Sequence, residues 1–136
     1  MKSTSRRKFL ATTATLAVGT AAMSMPINTN TAEKYPVIHH ALFWLKNPKS
    51  KADLDKLVAG VKSLGKIKLI KELHVGVVAS TEKRDVVDNS WAVSELMRFS
   101  DLAGQQAYQD DPIHLKFVEE CSPLWDKVIV YDAVEV

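Results

Sequence analysis

His114 and Tyr108 flank a helix start in the run Tyr-Gln-Asp-Asp-Pro-Ile-His at 108–114. An imidazole and a phenol are a base and an acid: together they can take a proton from carbon and hydrogen-bond the oxygen on which charge then develops. Asp111 suits the N-cap, and Pro112 suits the first helical position, where its missing N–H costs nothing. From there His114, Phe117, Val118, Cys121 and Trp125 recur at spacings of three and four, which sets the histidine within the apolar stripe of one helical face. A ring buried there needs partners for its nitrogens. Either it bonds a backbone carbonyl and helps shape the core, or it shares a cavity with Tyr108 and handles protons.

Two further polar residues stand at positions where alternation predicts burial. In the strand expected over 91–99, Trp91, Val93, Glu95, Met97 and Phe99 share one side, with Ala92, Ser94, Leu96 and Arg98 on the other. A Glu95 carboxylate among such neighbours either meets a buried donor or has a raised pKa, unless the strand twists it to the rim. In the first strand, over 35–46, His39, Ala41, Phe43 and Leu45 face one way and Ile38, His40, Leu42 and Trp44 the other. Both faces are apolar, as in a strand covered on both sides. The adjacent histidines point apart and cannot chelate one metal together. Convergence of His39, His114 and Glu95 on a metal lacks any supporting ligand spacing, so neither metal nor cofactor is expected.

The elements that must position these groups follow from breaks in the pattern. Asn47-Pro48-Lys49-Ser50 ends the first strand, and Ser50 with Asp53 opens a helix with an apolar stripe of Leu54, Leu57, Val58, Val61 and Leu64, closed by Gly65. A second strand over 72–78 contains Gly76, and a polar loop covers 79–90. Ser100 is expected to cap a short helix to Gln109. The Asp111 helix runs until Pro123, and a valine-rich strand over 127–136 ends the chain. Strand, helix, strand, strand, helix pair, strand is the order of an α+β, ferredoxin-like four-stranded sheet with helices on one face. Its opposite face, with Ile38, Leu42, Trp44, Ala92 and Leu96, is too apolar to stay wet, so a second copy is expected to cover it as a two-fold dimeric α/β barrel.

From about Pro36 to Val134 the chain resembles the stress-responsive dimeric α/β barrel (Dabb) proteins. The likeness lies in His39-x-x-x-Phe43-x-Leu45-Lys46, in Tyr108-x-x-x-Pro112-x-His114, and in Leu124-Trp125 before a valine-rich end strand. The resemblance implies the same fold and the barrel homodimer. Most members of that family have no assigned reaction. Plant relatives act as polyketide cyclases in which a tyrosine and a histidine form the acid–base pair, helped by a first-strand histidine, and Tyr108, His114 and His39 occupy the matching positions. The third strand departs from that pattern: Val93 stands where such a cyclase has another pocket histidine, and Glu95 replaces an apolar neighbour. The pocket is therefore expected to take a different ligand.

Three functions fit. One is cofactor-free acid/base chemistry on a small, apolar, oxygenated molecule, with His114 and Tyr108 catalytic and His39, Phe43, Glu95, Phe117 and Trp125 lining the pocket. The second is a noncatalytic binder or stress-response protein of the cell envelope. The third is a cofactor-free monooxygenase, as known on related dimeric barrels.

Ser5-Arg6-Arg7-Lys8-Phe9-Leu10, followed by small apolar residues to Met25, has the order of a twin-arginine-type export signal, which implies a periplasmic protein. Residues 1–32 are assigned to signal and linker, with cleavage near Ala22, Ser24 or Ala32, and 33–136 to one folded domain. Four of the 18 basic residues fall in the leader, leaving 14 against 16 acids and a mature charge of about −2, which disfavours nucleic acid as a partner. No later run reaches the roughly 20 apolar residues of a membrane span. Cys121 is the only cysteine, so no internal disulfide can form.

Overall fold

A computed structural model describes residues 34–136; the predicted leader and linker lie outside the described residues. The elements are β1 (Val37–Leu45), α1 (Lys51–Ser63), β2 (Glu72–Val77), β3 (Val93–Phe99), α2 (Leu102–Tyr108), α3 (Pro112–Cys121) and β4 (Trp125–Val134), with 3-10 turns at Leu64–Lys66 and Ser122–Leu124. They form a four-stranded sheet in the order β2-β3-β1-β4, in which β1 is antiparallel to β3 and β4, and β2 to β3. Strands β1 and β2 thus run in the same direction on either side of β3, and α1 makes the crossover between them. This is the ferredoxin-like arrangement expected from the order of elements.

Alternation along β1 is strict: Val37, His39, Ala41, Phe43 and Leu45 are buried, and the residues between them are half-buried. The buried face meets Leu57, Val61 and Leu64 of α1 and its following turn, Tyr108 of α2, and Phe117 and Cys121 of α3 in one core. Ser50 caps α1 by accepting the Asp53 N–H at 3.1 Å, and Asp111 caps α3 by accepting the Ile113 N–H at 2.8 Å. Helix α1 crosses α3 at Gly60, where an added Cβ would lie 2.5 Å from Cys121 Sγ and 3.2 Å from the Phe117 ring. A side chain at this position would force Cys121 or Phe117 to shift.

Several boundaries differ from the sequence expectation. Asp101, not Ser100, caps α2, its carboxylate accepting the Gly104 N–H at 2.7 Å, while Ser100 follows directly on β3. Strand β3 begins at Val93, and ahead of it the Trp91 indole N–H donates to the Asp88 carbonyl at 2.9 Å. Trp125 does not continue the α3 stripe. The 3-10 turn containing Pro123 ends the helix, and Trp125 takes extended angles (φ −112°, ψ 153°) as the first residue of β4.

The face away from the helices carries Ile38, His40, Leu42 and Trp44 from β1, with Leu96 beside His40 on β3. Across β4 the same rows continue through Ala133, Tyr131, Ile129 and Lys127. His40 Nε2 lies 2.8 Å from Ser94 Oγ on this face, and burial, then His74 and His39, hold its pKa below the ordinary imidazole value. Among the described residues no helix is long and apolar enough to cross a membrane.

Candidate functional site

Between the helix-facing side of the sheet and helices α2 and α3 lies a hollow of about 170 Å³, bordered by His39, Ala41, Phe43, Glu95, Tyr108, Gln109, His114, Phe117, Val118, Trp125, Val128 and Val130. All seven residues singled out in the sequence line this one space. Strand β1 supplies His39 and Phe43, β3 supplies Glu95, α2 ends on Tyr108, α3 supplies His114 and Phe117, and β4 opens on Trp125. Cross-strand register explains the floor, since Ala41 pairs with Glu95 on one side and Val130 on the other.

The aromatic walls are continuous. Phe43 lies 5.0 Å from Trp125 and 6.2 Å from Phe117 between ring centroids, and Phe117 lies 5.7 Å from Trp125. Tyr108 sits between the two histidines, 4.5 Å from the His114 ring and 5.6 Å from His39. These spacings are ordinary for edge and tilted ring packing.

Each imidazole is fixed through Nδ1. His114 Nδ1 lies 2.9 Å from the Gln109 carbonyl oxygen, which can only accept, so Nδ1 carries the proton and Nε2 keeps its lone pair in the neutral ring. His39 Nδ1 lies 2.6 Å from Asp132 Oδ1, again the acceptor side of a bond that the ring must donate. No hydrogen-bond partner for either Nε2 occurs among the described residues. Both rings border a largely apolar hollow with Nδ1 held by an acceptor.

Glu95 and Tyr108 form the third polar feature. Glu95 is 1% exposed, and desolvation pushes its carboxyl up to about 8, with the hydrogen bond from Tyr108 pulling the other way. Burial and the neighbouring Glu95 raise the Tyr108 phenol far above its ordinary value, so it stays protonated and donates to the carboxyl group. The other oxygen, Glu95 Oε2, has no hydrogen-bond partner among the described residues. The Tyr108 proton expected to face a ligand is therefore turned to Glu95.

Sequence reading missed Asp132; it anticipated a backbone carbonyl for His114, which the structure identifies as that of Gln109. Asp132 is found only through the β1–β4 register, which sets it opposite His39. A carbonyl contact has no residue-type signal at all. Among the described residues no group of three His, Cys, Asp or Glu side chains converges as a metal site would require.

The stress responsive A/B barrel domain (Dabb) family matches residues 37–135, and the chain belongs to that family. A Dabb family protein with a ferredoxin-like fold from Mesorhizobium loti is similar at 24% identity and TM-score 0.60, over 74% of this chain and 96% of that one. A dimeric protein of ferredoxin-like fold from Bacteroides fragilis is similar at 17% identity and TM-score 0.59, over 74% and 97%. A hydroxynitrile lyase from Passiflora edulis is similar at 21% identity and TM-score 0.61, over 76% and 96%. At these identities the likeness is one of fold. No curated protein matches the sequence.

Proposed function

We propose that this protein is an exported homodimer that binds a small, uncharged, largely apolar oxygenated molecule between its sheet and helices and moves a proton on it without a cofactor. The observation that carries this reading is the His114 ring, whose Nδ1–H is anchored to the Gln109 carbonyl, leaving Nε2 as a lone-pair base beside the hollow. Apolar walls of Phe43, Phe117 and Trp125 favour an apolar guest, and no Lys or Arg borders the space to receive an anion. His114 takes a proton from the carbon next to a carbonyl, and the Tyr108–Glu95 pair lies on the polar side where the oxygen's charge develops. The hydroxynitrile lyase of the same fold agrees with small-molecule chemistry on this scaffold.

The test is solvent deuterium exchange into the methyl group of acetophenone, followed by NMR. The protein accelerates exchange, and His114→Gln slows it by at least about 100-fold with an unchanged circular dichroism spectrum. Unchanged exchange in that variant removes His114 from the chemistry. A second reading, a noncatalytic carrier, rests on the same apolar hollow with few polar groups. In native mass spectrometry a carrier releases its co-purified molecule unchanged after long incubation, whereas an enzyme transforms it.

Dimeric neighbours of the same fold and the apolar open face support the homodimer. Export rests on the paired Arg6 and Arg7 before an apolar segment. Replacing both with Lys retains the protein in the cytoplasmic fraction, and secretion unaffected by that change contradicts the assignment.

A further inference from the structure

Resting on the proton-transfer reading above, we infer that Glu95 is the acid of the site: its free carboxyl oxygen, Oε2, carries the proton that hydrogen-bonds the ligand's carbonyl oxygen, so the site selects small enolisable ketones and aldehydes. Glu95 is 1% exposed and borders the hollow, and Oε2 finds no partner among the described residues. Native structures rarely leave a buried polar atom unsatisfied. The occupant of the hollow supplies the partner when the carboxyl group turns its closed-off Oε2 toward it. The Tyr108 hydroxyl already donates to the carboxyl group and therefore takes the other oxygen.

The groups facing Glu95 decide which partner that is. His39 from β1, Tyr108 from α2 and His114 from α3 border the same space, Asp132 from β4 is bonded to His39, and β2 contributes apolar Val75 in register. No cation is among them, so burial keeps the carboxyl protonated until about pH 8. A protonated carboxyl that accepts from Tyr108 at one oxygen has a donor at the other. It calls for an acceptor, and a carbonyl oxygen in an otherwise apolar molecule meets that need.

The step balances without a co-reactant. The C–H bond alpha to the carbonyl breaks, its proton going to His114 Nε2 and its electron pair forming the C=C bond of the enol. The carbonyl π pair takes the proton from Glu95 Oε2. Imidazolium and carboxylate remain, and the Tyr108 O–H bond to Glu95 holds the new charge. Reversal returns both protons, with solvent deuterium entering at carbon through His114.

The experiment compares acetophenone with α-methylstyrene, in which a CH2 group replaces the carbonyl oxygen at nearly the same shape. At pH 7 the protein binds the ketone at least about tenfold more tightly, and the preference fades as pH rises past about 8. Glu95→Leu abolishes the preference and the exchange. Glu95→Gln, which keeps an N–H donor, retains the preference across that pH range but slows exchange about 100-fold. His114→Gln loses exchange and keeps the preference. Equal binding of the two probes by the wild-type protein, including no binding of either, overturns the inference, as does a preference that persists in Glu95→Leu. Should His114→Gln lose exchange while Glu95→Leu keeps both properties, this inference fails and the reading of His114 stands. Should His114→Gln exchange normally while the preference tracks Glu95, the reading of His114 fails and the carbonyl contact stands.

Discussion

At the scale of single residues, the site depends on a carboxyl group kept neutral by its surroundings. Burial raises Glu95 from its ordinary 4.5 to about 8, whereas in the unfolded chain it titrates near the ordinary value. Between those pH values the folded chain holds a proton that the unfolded chain has released, so stability falls as pH rises through the window and levels off above it. The slope reaches about 1.4 kcal/mol per pH unit. Denaturant titrations from about pH 5 to about pH 8 should show this loss in the wild-type protein, set against the rise that the lowered His40 pKa gives both proteins, and Glu95→Gln should lack the loss; parallel profiles would contradict a neutral Glu95. The conflict at Glu95 was legible in the sequence, because alternation set an acid among Val93, Met97 and Phe99. Its resolution was not, because Tyr108 reaches it from a different element. Likewise His39 was legible as buried, but its bond to Asp132 depends on a cross-strand register that β4's own residues do not announce.

At the scale of elements, α3 holds both the base and part of the wall, and α1 fixes where α3 lies. Gly60 lets α1 approach to the point where an added Cβ would meet Cys121 Sγ at 2.5 Å and Phe117 at 3.2 Å. Gly60→Ala should therefore destabilise the fold by about 1–3 kcal/mol despite the better helix propensity of alanine, because the overpacking term exceeds the propensity gain of at most about 1 kcal/mol. Thermal melting measures it; a rise in Tm would show that the helices separate freely. The start of α3 could be read from Asp111 and Pro112, since capping is local chemistry. The placement of Trp125 could not: its spacing matches the helical stripe, but the turn at Ser122–Leu124 moves it to β4, where it closes the same wall from the sheet side.

At the scale of the whole molecule, the sheet separates two environments, the hollow under the helices and an apolar face that a second copy is proposed to cover. On that face Leu42 pairs with Ser94 and Ile129, so a charge there leaves the protomer core untouched. Leu42→Glu should yield a folded monomer by light scattering, and a dimer of undiminished stability would place the interface elsewhere. Fold class was readable from the order of elements because each hydrophobic period was clear. What occupies the hollow was not, because the pocket's polar groups come from four elements and its specificity lies in their meeting. The four histidines divide the same way: His39 and His114 border the hollow, whereas His40 and His74 share the opposite face through Leu96. Nitrogen-15 NMR of the histidine rings during titration with acetophenone therefore tests the central claim most directly. The account predicts that the His39 and His114 Nε2 signals shift on binding, with Nδ1 protonated throughout and the other two rings unchanged. Shifts confined to His40 and His74, or none at saturation, would contradict it.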